Sequence, residues 1–107
     1  MIKMAIKKNC SNHLTNDRWE RVEFIIDHIG LGEVIAEREW VDTKGTPCIR
    51  QLTTTGVIIV RDPSGQKVVT MWAADVLQVR AMYFGKIPNW MYKVVVKNEK
   101  IMKNFHE

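Results

Sequence analysis

The run Gly56-Val57-Ile58-Ile59-Val60-Arg61-Asp62 constrains this chain more than any other stretch. An extended backbone sends successive side chains to opposite faces, so Val57 to Val60 put hydrocarbon on both faces at once. Such a strand belongs in the middle of a sheet. It runs into Asp62-Pro63-Ser64-Gly65, a turn signal with proline second and glycine fourth. The return segment 66–74, QKVVTMWAA, alternates Val68, Thr70 and Trp72 against Val69, Met71 and Ala73, which predicts a hairpin.

Two further strands are expected upstream. Residues 34–41, VIAEREWV, read as one, and 47–55, PCIRQLTTT, as the next, with a turn about Gly45 between them. Ahead of these, a helix is predicted over 15–29. Asp17 with Glu20 resembles a capping box, with Thr15 and Asn16 as rival caps; Trp19, Val22, Ile26 and Ile29 form the apolar stripe, and Gly30 supplies the stop. Arg18, Arg21 and Ile25 fall on one flank of that stripe, Glu20, Glu23 and Asp27 on the other. The opening IKMAIK alternates and predicts a short edge strand.

After Asp75, an expected N-cap, residues 76–84 read as a short helix ending near Gly85. Residues 87–105 read as a terminal helix with Pro88 in its first turn and Trp90, Val94, Ile101 and Phe105 on one stripe. The run Val94-Val95-Val96 leaves a strand open for its first half. The fold class expected is α+β: an N-terminal helix, a three- to four-stranded antiparallel sheet and C-terminal helices, packed on one side of the sheet.

With 107 residues, 46% of them hydrophobic, the chain is expected to be one domain, 1–107, able to bury a core without metal or disulfide. No window reaches the roughly 18–20 apolar residues of a membrane span, and the basic start lacks the apolar core of a signal peptide. A soluble cytoplasmic protein, with no membrane partner, is the expectation. Cys10 and Cys48 are expected to be small buried hydrophobes. Cys10 and His13 have ligand-like spacing, but no second Cys/His pair follows, so neither a metal nor a cofactor is expected.

The net charge of +4 is unevenly placed: residues 17–42 carry −5, and the remainder is basic. A basic body suits nucleic acid, although lysine-rich surfaces also serve solubility. P-loop, dinucleotide, HExxH and GxSxG signatures are all absent. What remains is a histidine, arginines and strand hydroxyls. RNA cleavage by transesterification needs proton-transfer groups and cations around the phosphorus. His13 has the chemistry for the first, Arg18 and Arg21 for the second. Arg50 and Arg61 are further candidates for holding phosphate, and Thr53, Thr54, Thr55 and Thr70 offer hydroxyls. Trp19 and Trp72 are expected in the core, and Trp40 and Trp90 near element ends, where stacking on bases is open to them.

The segments NHLTNDRWERV, LTTTGVIIVRD and VVTMW together resemble the small nuclease-type fold shared by barnase, EndoU, colicin-type ribonucleases and RelE toxins. The closer likeness is to phage and toxin-associated domains that open with a histidine ahead of an arginine-rich helix. The resemblance implies His13, Arg21 and Thr70 as catalytic residues, with Arg18 beside them, although its first arginine comes five residues after His13 where four is usual. Two functions follow as expectations. One is a metal-independent ribonuclease acting on RNA as a toxin or phage effector. The other is a non-catalytic module: a phage-encoded inhibitor of a host or defence protein, or a nucleic-acid- or protein-binding accessory. Oligomeric state is not legible.

Overall fold

The computed structural model describes residues 2–106, apart from the side chains of Ile2, Asp17 and His106. The chain is α+β. Helices α1 (Ile2–Lys8), α2 (Asn12–Asp17) and α3 (Trp19–His28) lead into strands β1 (Val34–Val41), β2 (Pro47–Thr53), β3 (Val57–Arg61) and β4 (Val68–Ala73), and helices α4 (Val76–Met82) and α5 (Asn89–His106) follow. The strands form an antiparallel sheet in the order β1-β2-β3-β4.

Helices cover both faces of this sheet, not one. On the first face Leu52, Ile58 and Val60 pack under Val79 and Met82 of α4 and Met91 and Val95 of α5. On the second, Val57, Ile59, Val68 and Met71 pack under Leu14 of α2 and Val22 and Ile25 of α3. Each such aliphatic side chain gains about 1.5–3 kcal/mol on leaving water. That gain is why the doubly apolar β3 draws a layer to each side.

The N-terminal third differs from the sequence expectation in three ways. First, IKMAIK is helical: Ile6 packs into the second layer, and Lys3 Nζ reaches Asp27 of α3 at 2.6 Å. Those tertiary contacts outweigh a weak alternation. Second, the expected 15–29 helix is two helices broken at Arg18 (φ −133°, ψ 15°). Ser11 caps α2, its Oγ accepting from Leu14 N at 3.2 Å, while Arg18 occupies the cap position of α3 with no side-chain cap bond. The Asp17 side chain of the expected capping box lies outside the described residues. Third, the buried stripe is centred on Val22 and Ile25, with Trp19, Ile26 and Ile29 only partly covered. The stop at Gly30 is as expected, its N–H donating to Ile25 O at 2.8 Å with φ +83°.

Downstream the agreement is closer. Asp75 and Gln78 form a reciprocal capping box on α4. In α5 the buried positions are Met91, Val95 and Asn98, one residue on from the expected stripe, which leaves Trp90 exposed. One irregularity shapes the first face. The pairing Val60↔Thr70 is followed by Arg61↔Val68, so Val69 is a bulge. Val68 therefore turns to the second face with Met71 instead of staying with Thr70 and Trp72. Its outer edge is held by the N-terminal segment: Ser11 N donates to Val68 O at 2.8 Å, and Val68 N to Asn9 O at 2.6 Å. At the opposite edge, the eight-residue β1 carries Glu37, Arg38 and Glu39 at its centre, and its outer side makes no backbone hydrogen bond among the described residues.

Candidate functional site

On the first face one row of side chains crosses all four strands: Arg38, Arg50, Val60 and Thr70, each the direct partner of the next. Trp40 with Cys48 lies on one side of that row, and Trp72 with Leu52 on the other. The helical layer leaves one end of this face open. There a cleft of about 470 Å³ is lined by Trp40, Cys48, Arg50, Val69, Thr70 and Trp72, among others.

Arg50 is the centre of the cleft. Its guanidinium carbon stands 4.3 Å from the centroid of Trp40 and 5.4 Å from that of Trp72. Flat, weakly hydrated and always charged, a guanidinium stacks on indole faces where an ammonium would stay in water. Beside it, Arg38 lies 3.8 Å over the exposed Phe84 ring. The Nε atoms of both arginines and Nε1 of Trp72 are buried with no hydrogen-bond acceptor among the described residues. A donor left so costs roughly 1–3 kcal/mol.

The cleft has two carboxylates, and both belong to turns. Asp42 Oδ1 accepts from Lys44 N at 2.9 Å and Thr46 N at 2.8 Å. Asp62 Oδ1 accepts from Ser64 Oγ at 2.8 Å and from the amides of Gln66 and Lys67. The Ser64 hydroxyl, helped by those amides, holds the Asp62 carboxyl below its ordinary value. Neither acid makes an ion pair with Arg50, whose guanidinium is left to the aromatic rings.

The residues predicted from sequence divide between four places. Thr70 and Arg50 meet in the cleft. His13, Arg18 and Arg21 line a separate hollow with Glu20 and Phe105 among the N-terminal helices and the end of α5. Leu14, next to His13, packs on the second face, so the sheet stands between His13 and Thr70. The set of His13, Arg21 and Thr70 thus does not converge on one cleft. Arg61 also faces the second side, where its Nε donates to Gln51 Oε1 at 2.8 Å and Gln51 donates to Glu37 at 2.7 Å. The hydroxyls of Thr53, Thr54 and Thr55 are used internally: Thr53 and Thr55 share a bond of 3.0 Å, Thr55 donates to Gly30 O, and Thr54 accepts from Glu33 N.

Sequence reasoning passed over Arg38 and gave Trp72 only a core role. The signal was present in the spacing. Arg38 and Trp40, Cys48 and Arg50, and Thr70 and Trp72 are each two apart, which sets each pair on one face of its strand. Among the described residues no group of three or more His, Cys, Asp or Glu is arranged to hold a metal, and no helix is long and apolar enough to cross a membrane. The chain matches no family model, no curated protein and no solved structure, and its function is therefore a matter for the chemistry of the cleft itself.

Proposed function

We propose that this chain is a binding module for single-stranded nucleic acid and that the tryptophan–arginine cleft is its interface. The observation that carries this is Arg50 stacked between Trp40 and Trp72 in a cleft whose carboxylates are committed to turns. Single strands are gripped by stacking bases on aromatic or guanidinium planes while cations follow the phosphates. Stacked planes, a guanidinium outside any ion pair and the Thr70 hydroxyl in one cleft are that combination. The cleft has no histidine among its lining residues and its two carboxylates serve turns, which favours binding over turnover.

The test is fluorescence anisotropy of labelled single-stranded RNA and DNA 12-mers. Trp40→Ala is expected to weaken binding by about 1–3 kcal/mol, the usual value of one stacking platform. Arg50→Met should weaken it and lower the slope of log K against log salt by about one unit. Failure of the parent to bind at roughly 100 µM, the weak end of ordinary non-specific contact, would sink the reading.

A second reading, a metal-independent ribonuclease, draws on the hollow where His13, Arg18, Glu20 and Arg21 meet. Histidine with a carboxylate and two arginines is a workable set for phosphoryl transfer to a 2′-hydroxyl. RNA incubated with protein in EDTA, beside His13→Ala and Arg21→Ala, decides it: cleavage by the parent that both variants lose is the expected result. Intact RNA removes this reading and leaves the first untouched.

A further inference from the structure

Arg38 and Arg50 are direct partners across β1 and β2 and point to the same face. Like charges set opposite one another in a sheet repel. No carboxylate or carbonyl accepts from either guanidinium among the described residues, and each rests on aromatic rings; Asp42 and Asp62 line the same cleft as Arg50 without bonding to it. The acids nearest Arg38 in sequence, Glu37 and Glu39, point to the other face, where Glu37 takes its bond from Gln51. The Trp72 indole, whose ring lies 5.4 Å from the Arg50 guanidinium, adds a third buried donor without an acceptor.

We propose that the paired arginines bind a terminal phosphate monoester, so that the module recognises the phosphorylated end of a strand. This rests on the nucleic-acid reading of the cleft. An internal phosphodiester carries a single charge and presents only two non-bridging oxygens, fewer than two guanidinium forks can engage. A monoester carries about −1.5 to −2 at neutral pH and presents three strong acceptor oxygens. Two negative charges answer two guanidiniums, and each guanidinium offers five N–H donors to the three oxygens. The planar forks of arginine suit such a group where lysine would offer only a point charge. Phe84, exposed and stacked on Arg38, acts as a positioning residue by fixing the plane of that fork.

The experiment compares one 12-mer bearing a 5′-phosphate, a 3′-phosphate or hydroxyl ends, with a 5′-mononucleotide as competitor. The parent is expected to prefer one phosphorylated end by about tenfold, the scale of a charge-assisted bond. Arg38→Gln should erase that preference by weakening the phosphorylated strand more than the hydroxyl-ended one, with a melting temperature unchanged or raised because a like-charge pair is relieved. Phe84→Ala should reduce the preference without altering the fold. Equal binding of all three ends by the parent overturns the proposal and leaves the nucleic-acid reading standing. An equal loss for every end in Arg38→Gln also overturns it, as does a mononucleotide that competes as well as the strand. No binding of any strand removes both.

Discussion

Asn98 of α5 donates its Nδ2–H to the carbonyl of Thr55 at 2.7 Å, joining the terminal helix to the turn between β2 and β3. It is 3% exposed, the only polar residue among the described residues in the buried stripe of that helix. Replacing it with Ala leaves the Thr55 carbonyl without its donor. Asn98→Ala is expected to cost about 1–3 kcal/mol. Urea denaturation checks it, and an unchanged midpoint would mean that the helix is held by apolar packing alone.

Gly56 lies beneath that same helix. With φ +77°, a Cβ there would meet Asn98 Nδ2 and Val94 Cγ1, each at 2.9 Å. Gly30 has a similar φ of +83° but nothing within 4 Å of a Cβ. Gly30→Ala is therefore expected to cost the left-handed penalty alone, about 1–2 kcal/mol, and Gly56→Ala more. The two variants melted side by side give the answer; equal losses would contradict the close approach of α5.

Ile58 and Ile59 are adjacent in sequence but belong to different layers. Ile58→Val and Ile59→Val should each cost about 0.5–1.5 kcal/mol. Because the two side chains share no packing partner, the double variant should show the sum to within about 0.5 kcal/mol. Strong coupling in that cycle would argue against two separate layers.

The turn carboxylate Asp62 gives a pH signature. Its folded value is lowered, so as pH falls the unfolded chain takes up the proton first, and protonation favours unfolding. Its contribution is complete above the ordinary value of 3.8 and is lost as pH drops through the lower folded value. Asp62→Asn should therefore be less stable than the parent at neutral pH, with the gap closing below pH 3.8. Urea midpoints from neutral to acid pH would show this, and a gap independent of pH would exclude it.

The sheet was legible because each of its strands carried a local signal: Pro47, Gly45 and the Asp62–Gly65 turn bound the segments, and the Val57–Val60 run marks the centre. That same run also implied two covering layers, since hydrocarbon on both faces needs cover on both; a one-sided packing of helices conflicts with it. The bulge at Val69 was not legible. It follows from the Asn9–Ser11 segment bonding to Val68, a contact between residues far apart in sequence. The phase of the helices shifted for a related reason: a stripe read at 100° per residue fixes which residues are near one another, while the neighbouring layer selects which of them is central. Arg50 and Thr70 could be nominated one at a time from chemistry. Their meeting with Arg38, Trp40 and Trp72 required the strand register. His13 parted from Thr70 because α2 docks on the other side of the sheet.

The outer edge of β1 has a consequence for solubility. A second copy adding to that edge antiparallel, about a two-fold axis normal to the sheet, must set paired residues on the same face. Only registers centred on a residue are then allowed. Centred on Glu37, the pairing opposes Glu37 to itself. Centred on Arg38, it opposes Arg38 to itself and Glu37 to Glu39. Centred on Glu39, it opposes Glu39 to itself. Every central register thus meets like charge with like, a cost that rises with each pair desolvated. The strand is long and open along its outer edge, yet its charge order makes it a poor template for its own copy, and that edge is guarded against two-fold self-pairing without a proline.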